Sequence, residues 1–454
     1  MQLLRHQKTA LDFILSSKRG CALCDSAGTG KTLPALLAAE KLTRQGQVCL
    51  WITLNSLKYQ LKGEIERFKI ALEPFILTGT AHNRQKILSS LPISSGAILI
   101  MNYEQVLNNP DMLKILQFPI SVIITDECTR MLNSRNKTYK RIYKLAQMTG
   151  ARKIGLSGTP IINSPMDAFS LFDYLNPRSL GNYFFFGTRY MKKTPFSLFG
   201  EVRKEMLPEL ACRLAPYYLR RDRETLLPDL PELMEEEIPV IMSAEESRFY
   251  SRLMAGLLLD IKREDLSKVE NKGSLAFGIT KFLRLRQACG SLSLLGENSN
   301  SSKLKALKDF LETTKEEKVI IFSEFSEMCK LINADLPGSR MIIGETPNDL
   351  RDKILKEFNE NPNVKILIMS GKVGEMGLNL QVASYVIHYD PPLSWASYDQ
   401  RIARARRKGQ KSAVVSVRLF CYNSVESRIY TLIEKKKNIS LMAMPFNELE
   451  RELL

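Results

Sequence analysis

The run Asp25-Ser26-Ala27-Gly28-Thr29-Gly30-Lys31-Thr32 joins an apolar strand-like segment, Gly20–Cys24, to an apolar helix-like one, Leu33–Leu42. A loop of small residues there can turn its backbone N–H groups onto a polyphosphate at a helix N-terminus. Gly28, Thr29 and Gly30 would line the cradle, Lys31 would meet the β and γ phosphates, and Thr32 would hold Mg²⁺. The pattern departs from the usual phosphate loop at its first glycine, where Asp25 stands. A second pair of groups, Asp126-Glu127, closes the apolar run Val122-Ile123-Ile124-Thr125. Two carboxylates at the end of a strand can divide the work of phosphoryl transfer. Asp126 would orient the metal shell, and Glu127 would position and deprotonate the attacking water. A strand-end helix cap is the plainer reading of Asp-Glu; several βα units between Lys31 and Asp126 favour the chemical one.

A third element is Gln400-Arg401-Ile402-Ala403-Arg404-Ala405-Arg406-Arg407-Lys408-Gly409-Gln410. With Ser394 as N-cap and Gly409 as stop, the spacing predicts one helix with Arg404 and Arg407 on a single face. A guanidinium carried on a separate domain can neutralise charge on a transferred phosphoryl group when two lobes close. A solvated basic helix is the alternative, and it leaves the Gln…Gly-Gln frame unexplained.

These groups need strands to hold them. Short apolar runs recur at Val48–Leu54, Phe75–Thr78, Ala97–Met101, Val122–Thr125 and Lys153–Leu156, with amphipathic helical stretches such as Leu57–Phe68 and Lys137–Met148 between them. Continuous apolar strands alternating with helices predict a parallel sheet covered on both faces. From about Pro165 to Cys289 the chain reads mostly as helix, and Gly296–Ser302 reads as a polar linker. Strands return at Val319–Ser323, Met341–Gly344, Val364–Ser370, Tyr385–Tyr389 and Val414–Leu419. The expected fold is α/β, two tandem parallel-sheet lobes with a helical insertion between them. Residues 1–235 form the first lobe, with a helical protrusion from about 165; 236–300 continue the protrusion and linker; 301–454 form the second lobe and C-terminal helices.

Across 454 residues, 65 Lys and Arg stand against 49 Asp and Glu, a net charge of +16. That excess favours a polyanionic partner, nucleic acid foremost. Cys21 and Cys24 form a lone C-x-x-C inside a predicted strand, with no second pair and only three histidines in the chain. Buried thiols in a reducing, intracellular compartment are expected rather than zinc or redox chemistry. No apolar run has the length of a membrane span, and no cleavable signal pattern opens the chain.

Taken in order, these motifs resemble the Swi/Snf-type family of ATP-dependent double-stranded DNA translocases, within helicase superfamily two. Leu4-Arg5-His6-Gln7 is similar to the adenine-reading motif, with Gln7 as the contact. Asp25–Thr32 resembles the family's own Asp-Glu-x-Gly-x-Gly-Lys-Thr, which accounts for the missing glycine. Thr53-Leu54-Asn55-Ser56-Leu57 and Met101-Asn102-Tyr103-Glu104 resemble DNA-facing motifs, and Leu156-Ser157-Gly158-Thr159-Pro160 the motif linking hydrolysis to DNA contact. Tyr218-Leu219-Arg220-Arg221 and Leu283-Arg284-Leu285-Arg286-Gln287 resemble stretches specific to this family. In the second lobe, Val319–Phe325, Ser370–Leu380 and Gln400–Gln410 fit the remaining motifs.

The resemblance implies two RecA-like lobes with Mg-ATP between them. Gln7, Asp25, Gly28, Thr29, Gly30, Lys31, Thr32, Gly377 and Gln410 would bind nucleotide. Thr32 and Asp126 would bind metal; Lys31, Asp126, Glu127, Arg404 and Arg407 would be catalytic. Double-stranded DNA would lie on Asn55, Lys58, Asn102, Tyr103, Ser323, Ser370 and Lys372, with Ser157, Gly158 and Thr159 coupling the two events. A monomer is expected; the amphipathic Ile439–Leu454 could dock a protein partner or pack back on the second lobe. The chain departs from the family where Thr129 replaces a histidine, Ser26 an acid, and Pro391–Trp395 the usual Trp-Asn-Pro. None of these removes a group that phosphoryl transfer needs. A strand-separating helicase, or a nucleic-acid scaffold with an inactive ATPase, are the alternatives.

Overall fold

Strands that are apolar at every position must be covered on both faces, and the chain builds two sheets that meet this demand. The computed structural model describes residues 3–442 apart from 92–94, 159–164, 195–196, 267–271, 298–299, 315, 375–377 and 411. The chain divides into two α/β lobes, the first running to Pro228 and the second from Asp229 to Lys435. In the first lobe the strands are β1 (Gly20–Leu23), β2 (Val48–Thr53), β3 (Glu73–Ile76), β4 (Ala97–Asn102), β5 (Ile120–Asp126) and β6 (Arg152–Leu156). A separate antiparallel hairpin, β7 (Met191–Thr194) and β8 (Ser197–Val202), follows, and then β9 (Tyr218–Leu219). The main sheet runs β3-β4-β2-β5-β6-β1-β9, parallel throughout.

One of its interior strands, β2, shows why the fold forms. Val48, Leu50 and Ile52 of β2 pack on the face covered by helices Lys137–Thr149 and Pro165–Leu175. Cys49 and Trp51 pack on the face covered by helices Arg5–Ser16, Thr32–Leu42 and Lys58–Arg67. The alternation of side chains along a strand thus fills two apolar layers at once.

The second lobe repeats the design with β10 (Leu233–Val240), β11 (Val319–Ser323), β12 (Arg340–Ile342), β13 (Ile366–Ser370), β14 (Tyr385–His388) and β15 (Val414–Cys421). Their order is β10-β15-β14-β11-β13-β12, again parallel. Helices Ala244–Leu266 and Lys272–Gly290, together with the polar stretch from Gly296 to Ser302, lie within this lobe.

Two expectations need adjustment. The stretch from Pro165 to Cys289, expected to be mostly helix, is mostly helix, and its described residues also hold four strands, β7 to β10. β10 hides because its Leu-Met-Glu-Glu-Glu-Ile-Pro-Val text is rich in glutamate, a poor strand former. It is an edge strand whose acids are matched by its neighbour: Arg418 of β15 donates to Glu235 at 2.8 Å and to Glu237 at 3.3 Å. The second correction concerns the arginine helix. It spans Trp395–Ala405, with Ser394 Oγ accepting from Ser397 N as its N-cap, and stops short of Gly409. Arg407 lies beyond the helix end, so Arg404 and Arg407 do not share a helical face.

Cys21, Cys24, Cys49 and Cys128 are free and buried, and burial pushes the Cys21 thiol up to about 12. Among the described residues no helix is long and apolar enough to cross a membrane. The second lobe contains a fully buried ion pair, Lys303 Nζ to Glu426 at 2.7 and 2.6 Å, over the ring of Tyr389. Burial opposes the Lys303 charge, yet the neighbouring Glu426 carboxylate holds the ammonium above its ordinary value. Glu426→Gln, which leaves that ammonium unmatched, should destabilise the lobe by about 3–5 kcal/mol, read from urea unfolding. An unchanged midpoint would mean that the pair contributes nothing.

Candidate nucleotide site

The strand order β5-β6-β1 brings three loops to adjoining strand ends, where parallel sheets bind ligands. From β1 comes the loop Asp25–Lys31, from β5 the acids Asp126 and Glu127, and from β6 Ser157 and Gly158. Gly28 and Gly30 take φ of 82° and 79°, which other residues resist. At Gly30 space matters too: an added Cβ would lie 2.8 Å from Gln7 Nε2. Helix Arg5–Ser16 leans on this loop, with Gln7 Nε2 donating to Gly30 O at 3.3 Å and His6 Nε2 3.1 Å from Thr29 O. Gly158 faces Ala27 closely, its Cβ position 3.5 Å from Ala27 N.

Lys31 donates to Asp25 O at 2.7 Å and Ser26 O at 3.0 Å, folded back over its own loop. Burial lowers its pKa, with Glu127, Asp25 and Asp126 pulling the other way. Those attractions bind the acid pair and the loop into one electrostatic site. Asp126 is pinned at both oxygens: Thr53 Oγ1 donates to Oδ2 and Glu127 N to Oδ1, each at 3.0 Å. Burial raises its pKa against those bonds. Tyr103 Oη donates to Asp126 O at 2.8 Å.

Asp25 stands differently from the other loop residues. Its carboxylate receives Arg221 Nη2 at 2.7 Å and Nε at 3.1 Å, so both oxygens face a guanidinium. Arg223 Nε donates to Ala27 O at 2.8 Å. These two arginines had no assigned role in the sequence reading. The signal that could have found them was the unmatched acid at the loop's first position, followed much later by a cluster of arginines.

The DNA-facing expectations divide into two groups. Asn55 and Asn102 come together at the surface, Asn102 Nδ2 donating to Asn55 Oδ1 at 3.2 Å. Lys58, Tyr103, Ser323 and Ser370 are buried. Lys58 Nζ donates to Leu77 O at 3.1 Å, and Ser323 Oγ to Asp390 Oδ2 at 2.5 Å. In this conformation Lys58, Tyr103 and Ser323 bond to the protein's own strand ends rather than present themselves to a phosphate, and Ser370 is buried. Thr159 and Gly377 lie outside the described residues, as do the side chains of Lys372 and of Ile439–Leu454.

In the second lobe, Arg404 Nε donates to Gly374 O at 3.1 Å, and Gln410 Nε2 to Ala383 O at 2.8 Å. The helix bearing Arg404 is tied to β11 by the buried Arg401, which pairs with Glu324.

Glu127 takes φ 50° and ψ 53°, a left-handed conformation that costs a side-chain-bearing residue about 1 kcal/mol or more. Glu127→Gly should therefore melt above Glu127→Ala, because both delete the carboxylate and only glycine takes this conformation without strain. Equal melting temperatures for the two variants would show that the conformation costs nothing.

Comparison with known proteins now adds to this geometry. Residues 6–294 match the SNF2-related domain and residues 302–409 the helicase conserved C-terminal domain. An uncharacterised ATP-dependent helicase of Mycoplasma genitalium is 27% identical over 96% of this chain and 42% of its own length. The human DNA repair and recombination protein RAD54B is 27% identical over 94% of this chain and 53% of its own. The putative ATP-dependent helicase/translocase YwqA of Bacillus subtilis is 25% identical over 96% and 48% respectively. The chain spans about half the length of the curated relatives it matches. With one domain match covering well over half of the residues and the other falling on the second lobe, the chain belongs to the SNF2-related family.

Proposed function

We propose that this protein hydrolyses Mg-ATP and uses the energy to track along duplex DNA without separating its strands. The observation that carries the reading is the meeting of Lys31, the pinned Asp126 carboxylate and Glu127 at the ends of β1 and β5, which flank β6 in one sheet. The glycine-turned loop offers backbone N–H groups to the β and γ phosphates, and Lys31 exchanges its carbonyl partners for them. Thr32 and Asp126 supply hard oxygen ligands suited to Mg²⁺, which when bound neutralises charge on the phosphate oxygens. Glu127 takes a proton from water as the water oxygen attacks the γ phosphorus and ADP leaves. Arg404 and Arg407 are the second lobe's candidates for stabilising the transferred phosphoryl group, and Gln7 the first lobe's for reading the base.

Support for DNA as the track comes from the net charge of +16, the family, and relatives named for DNA repair and for helicase or translocase activity. Asn55 and Asn102 form the exposed polar pair that a backbone phosphate would meet. Those helicase names also favour a second reading, a motor that separates strands.

DNA-stimulated ATPase is the direct test. Glu127→Gln should lower turnover about a hundredfold or more while ATP still binds, and robust hydrolysis by that variant would remove its assigned role. Triplex displacement on duplex DNA should be positive and unwinding of forked DNA negative; the reverse pattern selects the strand-separating motor. Binding to duplex should weaken steeply with added salt and depend little on sequence, whereas salt-insensitive binding would speak against phosphate contacts.

A further inference from the structure

The first half of the phosphate loop, Cys24–Ala27, is held by one short segment that lies some two hundred residues further along the chain. Cys24 N donates to Leu219 O at 2.7 Å and Ser26 N to Arg221 O at 3.1 Å. Arg221 engages both oxygens of Asp25, and its Nη2 also donates to His6 O at 3.1 Å. Arg223 Nε reaches Ala27 O at 2.8 Å. One guanidinium therefore joins the start of the loop and the helix that carries His6 and Gln7 to the segment that follows β9. The Asp25 side chain is 2% exposed and that of Arg221 12%. A bidentate arginine–carboxylate pair so shielded is strong and geometrically specific.

Charge makes the clasp matter for ligand binding. Asp25 stands at the mouth of a loop whose occupant, under the function proposed above, is a polyanion. An unmatched carboxylate there would repel that ligand through a medium of low dielectric. Neutralised by Arg221, it becomes an anchor. The same segment leads directly into the second lobe, since Pro228 closes the first and β10 opens at Leu233. A pull on residues 224–232 is transmitted through the covalent chain to Arg223 and Arg221.

We infer that Arg221 is a positioning residue of the nucleotide site. Its pairing with Asp25 sets the geometry and charge of the phosphate loop and ties both to the chain segment that crosses between lobes. This rests on the loop binding ATP. The measurements are the dissociation constant of a fluorescent ATP analogue, N-methylanthraniloyl-ATP with Mg²⁺, and the melting temperature of each variant of the full chain.

Arg221→Gln exposes the ligand to a bare Asp25 and should weaken analogue binding about tenfold or more. Arg221→Lys keeps the charge but loses the fork and should weaken it about threefold. The double change Asp25→Asn with Arg221→Gln removes the repulsion, so it should bind several-fold better than Arg221→Gln alone. A residue that merely supports the fold would lower the melting temperature and the active fraction, leaving the dissociation constant of the remaining folded protein unchanged. Should Arg221→Gln fail to fold, the lysine and double variants still decide: binding within twofold of the parent in both overturns the proposal. A double variant no better than Arg221→Gln overturns the charge argument in the same way. Analogue binding is read without DNA, so a parent protein whose ATPase ignores DNA would refute the translocase reading and leave this test intact.

Discussion

A loop of small residues has few side chains with which to hold its own shape. In Asp25–Lys31 two reach back, Thr29 Oγ1 donating to Ser26 O and Lys31 Nζ to Asp25 O and Ser26 O, while glycines at φ near 80° add freedom rather than order. Much of the shape is therefore imposed from outside. In this chain the imposing groups are Arg221 on Asp25, Arg223 on Ala27, Gln7 on Gly30 and the close face of Gly158. Every catalytic expectation for the first lobe depends on that external mould, because Lys31 can reach a phosphate only if the loop before it is already curved.

The acid pair obeys the same logic. Asp126 presents a fixed carboxylate because Thr53 from β2 and the backbone of Glu127 take one oxygen each. Glu127 turns sharply away in a left-handed conformation, so two adjacent carboxylates can point to different tasks. The strain is confined to one residue, at the place where the chain leaves a largely buried strand.

The second lobe solves a related problem with charge. Arg401 is fully buried and paired with Glu324 at the end of β11, while Asp390 accepts from Ser323 Oγ and from Glu324 N. This cluster fixes the helix that carries Arg404 against the sheet. Gly371 leaves room for the pair, for a Cβ there would displace the ends of the Arg401 and Glu324 side chains. His388 lies tilted against Tyr398, ring centroids 4.5 Å apart, and burial lowers its pKa beside Arg401 and Arg418. The apolar and aromatic residues around these charges exclude water, which makes each pairing stronger and each mismatch more costly.

Much of this was written in the residue order. Val319–Ser323 is a strand with the bounds read from its apolar text, and Ser394 caps the arginine helix as its position suggested. Local patterns such as these depend on neighbours within a few residues, which is all a sequence displays directly. The placement of the loop after β1 and of the acids that close β5 was legible for the same reason. What the sequence could not show were matches between distant segments. The glutamates of β10 look hostile to a strand until Arg418 of β15 stands beside them, and Asp25 looks like a flaw until Arg221 reaches it across 196 positions. Lys58, Tyr103, Ser323 and Ser370 read as surface groups by motif, yet packing turned each inward. Residue types and short spacings thus determined the chemistry on offer and the parallel-sheet class. The tertiary structure alone decided which charges meet and which are buried, because those energies belong to pairs of atoms brought together only by folding.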